Sequence, residues 1–210
     1  MCLLDLYGGS GTIYRASDWI VKIAYINFLW ILFSLLGLFI LGFFPATVAM
    51  FAVIRKWIRT ERDFSIFKTF WNSFRTEFLT ANIVGYVLVA IGYILYIDFK
   101  FFAMFDNWIG IVVSLLLLAV TMLFVIVILY IFPVIVHYKL KKLQYFKHAL
   151  MIGISFPKNT FLLIGGMIII YFVISFIPPH LAIFLSSLIS YFIMKVTYSA
   201  FEKVGTIVNN

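Results

Sequence analysis

IAYINFLWILFSLLGLFILGFFPATVAMFAVI, residues 23–54, runs for 32 residues without a charged side chain. As one straight helix at 1.5 Å per residue it would be about 48 Å long. A bilayer's hydrocarbon core is crossed by about 20 residues. The stretch is therefore too long for a single crossing. It contains its own break at Gly42, Phe43, Phe44 and Pro45, because proline disfavours helix in the residue before it and is tolerated where a helix starts. Arg15 and Lys22 precede the stretch, and Arg55, Lys56, Arg59 and Arg62 follow it. Basic residues near span ends are retained in the cytoplasm, so both ends belong on the same side. This predicts a hairpin: a span over 19–41, then a short span or re-entrant helix over 45–59. The alternative is one tilted helix with an external N-terminus, which gives five spans in place of six.

Outward from this stretch, further apolar runs predict spans over 78–97, 108–137, 159–177 and 180–197. The 210 residues are 65% hydrophobic and only 11% charged, against roughly 25% charged in a soluble domain; mean hydropathy is +1.13. The reading is an all-α, multi-pass membrane protein forming a single domain over residues 1–210. Arg15 and Lys22 stand before a run longer than a signal peptide's apolar region, so the first span is expected to stay in the mature chain. Cys2 is the only cysteine, which excludes an internal disulfide and a cysteine-based metal cluster.

The net charge of +8 follows from topology and does not call for nucleic acid, since the cations flank apolar spans. They fall into three regions: Arg55 to Arg75, Lys139 to Lys158, and Lys195 with Lys203. Lys100 alone lies opposite, beside Asp98 and Asp106. Residues 98–107 and the Pro178, Pro179, His180 turn are accordingly expected outside, and both termini in the cytoplasm.

Two cytoplasmic stretches have helical amphipathicity. Over 63–77, Phe64, Phe67, Phe70, Trp71, Phe74 and Phe78 recur at three- and four-residue spacing. Such a helix is expected to lie on the anionic inner leaflet or to dock a partner, with Arg55, Lys56, Arg59, Lys68 and Arg75 as its cations. The stretch 142–155 is a weaker version. The order of features also recurs along the chain. Phe44-Pro45, Ile66-Phe67-Lys68 and Ile83-Val84-Gly85 are answered by Phe132-Pro133, Tyr145-Phe146-Lys147 and Leu163-Ile164-Gly165, the pattern of an internal repeat.

Chemistry-bearing motifs are sparse. Gly8-Gly9-Ser10-Gly11-Thr12 lacks the lysine of a phosphate-binding loop and reads as a flexible lead-in. The spans hold no carboxylate for ion coupling and no nucleophile with a base, so no enzyme, cofactor or metal is expected. Asn27 and Asn82 are the candidate intramembrane polar residues, with helix packing as their default role.

Asn27-Phe28-Leu29-Trp30, Gly42-Phe43-Phe44-Pro45-Ala46-Thr47-Val48-Ala49-Met50 with Val53-Ile54-Arg55-Lys56, and Phe67-Lys68-Thr69-Phe70-Trp71-Asn72-Ser73-Phe74 carry a resemblance. On these stretches, and more loosely over nearly the whole chain, it resembles the YesL-like bacterial integral membrane proteins, a group of undefined molecular function. Many relatives have Thr-Ile-Gly-Pro where this chain has Gly42-Phe43-Phe44-Pro45. The resemblance implies a cell-membrane protein accessory to a carbohydrate-uptake ABC transporter, whose subunits would be its partners. It transfers no catalytic or binding residue. The chain has neither an ATP-binding motif nor the Glu-Ala-Ala coupling signature of a sugar permease. The alternative function is an autonomous small-solute transporter or facilitator.

Overall fold

An apolar chain in lipid must satisfy its backbone polar groups internally, which in this chain means helices. The computed structural model describes residues 8–59, 64–102, 104–105, 107–178 and 185–208, with side chains from 17 to 204. Among them are eight long helices and no strand: α1 (Gly8–Leu36), α2 (Phe43–Arg59), α3 (Ile66–Thr76), α4 (Phe78–Phe102), α5 (Trp108–His137), α6 (Gln144–Ser155), α7 (Pro157–Ser175) and α8 (Ser186–Val208). Four segments are long and apolar enough to cross a membrane: Ser17–Leu36, Phe78–Phe102, Trp108–His137 and Pro157–Ser175. The protein is an all-α membrane protein. The glycine stretch at residues 8–12 is helical, the start of α1 and not a flexible lead-in. Cys2, Arg62, Asp106 and His180 lie outside the described residues.

The first apolar stretch turns back on itself. Trp19 meets Trp57 with ring centroids 6.2 Å apart, and Trp30 Nε1 donates to Thr47 Oγ1 at 3.1 Å. Both pairs keep nearly the same sum of residue numbers, so α1 and α2 are antiparallel. The reversal occupies residues 37–42, just before the Phe44-Pro45 pair. Pro45 lies in the first turn of α2, where a missing N–H leaves no intrahelical bond unmade.

This turn closes as a Schellman motif: Phe39 N–H donates to Ser34 O at 2.8 Å and Leu38 N–H to Leu35 O at 2.9 Å. The motif normally places glycine in the left-handed position. Here Leu38 (φ 54°) and Phe39 (φ 60°) occupy that region, at a cost of about 1–2 kcal/mol each. The glycines serve close approach instead. A Cβ on Gly42 would stand 2.6 Å from Phe33 O and 2.7 Å from Ser34 O, and one on Gly37 would clash with Gly42 Cα.

The second arm of the hairpin is the middle of the bundle. Pro45, Ala46, Thr47, Val48, Ala49, Met50, Phe51, Val53 and Ile54 of α2 are all buried, and α1, α3, α4, α5 and α8 pack around it. Over residues 45–54 α2 carries no charge and is buried almost throughout, as befits a helical segment inside a protein or a membrane. At 17 residues it is about 25 Å long.

α3 returns antiparallel along α2, held by Lys56 Nζ donating to Thr69 Oγ1 at 3.3 Å, and the single residue Glu77 separates it from α4. The second half follows the same path. α6 folds back on α5, where Gly153 abuts Ile126 and Tyr130, and the single residue Phe156 separates it from α7. Asn159 Nδ2 then donates to Val196 O at 2.8 Å, joining α7 to α8.

Gly42→Ala is predicted to lower the thermal midpoint in detergent, because its Cβ has nowhere to go. Leu38→Gly is predicted to raise stability by about 1 kcal/mol, through relief of a left-handed leucine that is 82% exposed.

Candidate functional site

Polar side chains inside an apolar bundle need partners, and both intramembrane asparagines make hydrogen bonds, although the buried Oδ1 of Asn82 has no partner in the protein. Asn27 is buried in α1, and its Oδ1 accepts from Ser186 Oγ of α8 at 2.9 Å. Asn82 Nδ2 donates to Leu41 O at 3.1 Å and to Phe78 O at 3.0 Å. One turn further along α4, Tyr86 OH donates to Ile40 O at 2.7 Å. Asn82 and Tyr86 thus serve carbonyls of the 37–42 turn that no helix can satisfy. Both asparagines tie helices together.

The aromatic stripe of α3 is spent mostly on α1. Ser65 caps the helix, its Oγ accepting from Lys68 N–H at 3.3 Å, and the rings then fall along one side. Phe33 of α1 lies among Phe67, Phe70, Trp71 and Phe74, with centroids 5.0 to 6.4 Å apart. Phe70 is fully buried, whereas Phe67 (49% exposed) and Trp71 (43% exposed) keep an outer face. Phe64 stands under the Lys56 ammonium, 4.9 Å from it. Of the ring set expected to meet a leaflet or a partner, Phe67 and Trp71 present surface for it. Phe70 is core.

The cations divide likewise. Arg55, Lys56 and Arg59 lie in the last turns of α2, where positive charge complements the helix dipole. Together with Lys139, just past the end of α5, they line a cavity of about 470 Å³ between α2, α3 and α5. Thr69, Asn72, Ser73 and Thr76 of α3, Glu77, and apolar Val48, Ala52, Ile135 and Val136 complete the lining. Lys68 and Arg75 are exposed and lie outside it.

Arg55 is fixed by donating Nη1 to Val136 O at 2.9 Å, among the open carbonyls at the end of α5. Its buried Nε has no partner in the protein. Burial raises the Glu77 carboxyl above the usual carboxylate range, while a hydrogen bond from Thr80 and the charge of Lys139 act the other way. Among the described residues no three of His, Cys, Asp and Glu form a metal-ligating group.

Sequence reasoning found three of the four cavity cations as members of a cluster and assigned Lys139 to a different loop. It missed the α3 wall, although Thr69, Asn72, Ser73 and Thr76 recur at helical spacing opposite the phenylalanines. Being neutral, they left no charge pattern to notice.

Residues 23–99 match the family described as "Protein of unknown function, DUF624". The chain is 35% identical to protein YteU of Bacillus subtilis over 94% of its own length and 88% of the relative. It is 32% identical to YesL of the same organism, over 96% of this chain and 95% of that one. The chain belongs to the YesL-like family. A third relative in that organism, YesV, is 32% identical over 91% of this chain and 92% of its own. The matched segment of the YesL-like family spans the hairpin, α3 and most of α4, which hold three walls of the bundle core and two of the cavity. No solved structure matches the chain.

Phe70→Ala is predicted to cost about 3 kcal/mol or more as a buried ring, and Trp71→Ala much less; thermal melts of the two variants in detergent compare them. Asn82→Leu is predicted to destabilise by about 1–2 kcal/mol, since it orphans Leu41 O.

Proposed function

We propose that this protein is a non-catalytic accessory component of the bacterial cell membrane that works beside a carbohydrate-uptake ABC transporter, with its basic end in the cytoplasm. One observation favours an accessory role over autonomous transport: the axis of the bundle is filled. A facilitator needs a polar route between its helices, lined by groups that replace a solute's water. Here α2 occupies that place with Ala46, Val48, Ala49, Met50, Val53 and Ile54, each at most 2% exposed. The chemistry-bearing groups gather instead at the basic ends of α2 and α5, where Phe67 and Trp71 are also exposed to a partner. The transporter as partner comes from the family resemblance. The exposed rings and cations at this end support it as the surface of association.

The test is affinity capture of the tagged protein from its native membrane in a mild detergent, with co-purifying chains identified by mass spectrometry. Stoichiometric recovery of sugar-permease subunits, lost on Phe67→Ser/Trp71→Ser double substitution, is the expected outcome. Recovery of the protein alone or only as its own oligomer would contradict the reading, and solute uptake by proteoliposomes would then restore the facilitator.

A further inference from the structure

The cavity between α2, α3 and α5 has a chemical character distinct from a row of solvated cations at span ends. Four cationic side chains, Arg55, Lys56, Arg59 and Lys139, converge on it against one carboxyl, Glu77. None of the four is within ion-pair distance of a described carboxylate; the ion pair present joins Lys22 to Asp18 at 2.6 Å. Like charges gathered around one space repel, so the entry of an anion is favoured there.

The donors are also numerous. Thr69, Asn72, Ser73 and Thr76 add hydroxyl and amide groups from a single face of α3. The buried Nε of Arg55 has no acceptor in the protein, and the rest of its guanidinium group stands at the wall of the cavity. Arg55 is held at the cavity by the hydrogen bond from its Nη1 to Val136 O. A carboxylate offers two oxygens to this many donors. A tetrahedral oxyanion offers more, at a geometry suited to combined guanidinium, ammonium and hydroxyl contacts.

The geometry points to a binding site for a phosphate-bearing anion in this cavity, recognised by the exposed cations Arg59 and Lys139 and by Arg55, held by Val136 O. The phosphate is either the headgroup of an anionic lipid or a free phosphate. Its recognition does not depend on a transporter partner. Glu77 sets its pH response: Arg55, Lys56 and Arg59 from α2, Thr76 from α3 and Lys139 from beyond α5 line the space around it, and Thr80 bonds it from α4. Burial makes Glu77 take up a proton at a higher pH than a free glutamate. As pH falls through that range the cavity loses its one negative charge, so anion binding tightens; as pH rises it weakens.

The experiment uses the purified full chain in a neutral detergent and follows its thermal midpoint and native mass during titration with phosphatidylglycerol, phosphatidylcholine or inorganic phosphate. Saturable binding of phosphatidylglycerol over phosphatidylcholine, unaffected by phosphate, identifies the lipid headgroup; binding of phosphate that displaces the lipid identifies a free anion.

Either result supports the site if Arg59→Gln/Lys139→Gln weakens binding about tenfold or more while Lys100→Gln, far from the cavity, does not. Both cavity residues are exposed, so the double variant is expected to fold. Glu77→Gln should bind phosphatidylglycerol more tightly at neutral pH and lose the pH dependence, since that lipid's own charge is constant there. No saturable binding of either phosphate, or equal binding by wild type and the double variant, would overturn the proposal.

Discussion

The chain reverses inside apolar surroundings between Leu36 and Phe43, and the carbonyls exposed by that reversal must find donors within the protein. In water such a turn would be hydrated at no cost. In lipid an unsatisfied backbone group costs several kcal/mol. The solution combines a Schellman closure, two glycines at close approach, and two side chains of α4, Asn82 and Tyr86, that reach across to Leu41 O and Ile40 O. α4 is thereby fastened to the tip of the hairpin, and α2 is set where five other helices can close around it.

Much else depends on that placement. With α2 central, its last turns deliver Arg55, Lys56 and Arg59 to one end of the bundle, and the return of α3 along it brings Thr69 to Thr76 opposite them. Proximity of α5 adds Lys139 and provides the carbonyl that holds Arg55. The cavity is a product of helix packing: its members come from three helices and from Glu77 and Lys139 beside them, and no single stretch of sequence contains it.

The helical class and the hairpin were legible because their causes are local. Uncharged runs of membrane length, bounded by cations and broken by Gly42 and Pro45, admit few arrangements. The position of the turn was less legible. A leucine and a phenylalanine occupy left-handed backbone at 38 and 39, where pattern reading looks for glycine. The phenylalanines of α3 were read as a face for lipid or a partner. Periodicity identifies an apolar face but not what covers it, and Phe33, on another helix, covers much of this one. Asn82 stood out as polar in a span, yet one of its two acceptors, Leu41 O, is 41 residues away. The neutral wall of the cavity left no charge signature, although its spacing was present.

The most direct test of the account is the distance between spin labels at positions 19 and 57, introduced as cysteines on a Cys2→Ser background and measured in liposomes by pulsed electron resonance. Packed antiparallel helices, with axes about 8–10 Å apart, predict a short separation, as the Trp19 and Trp57 rings now have. A separation approaching about 57 Å, the length of 38 residues in one straight helix, would contradict the hairpin and with it the central α2 and the cavity at its end.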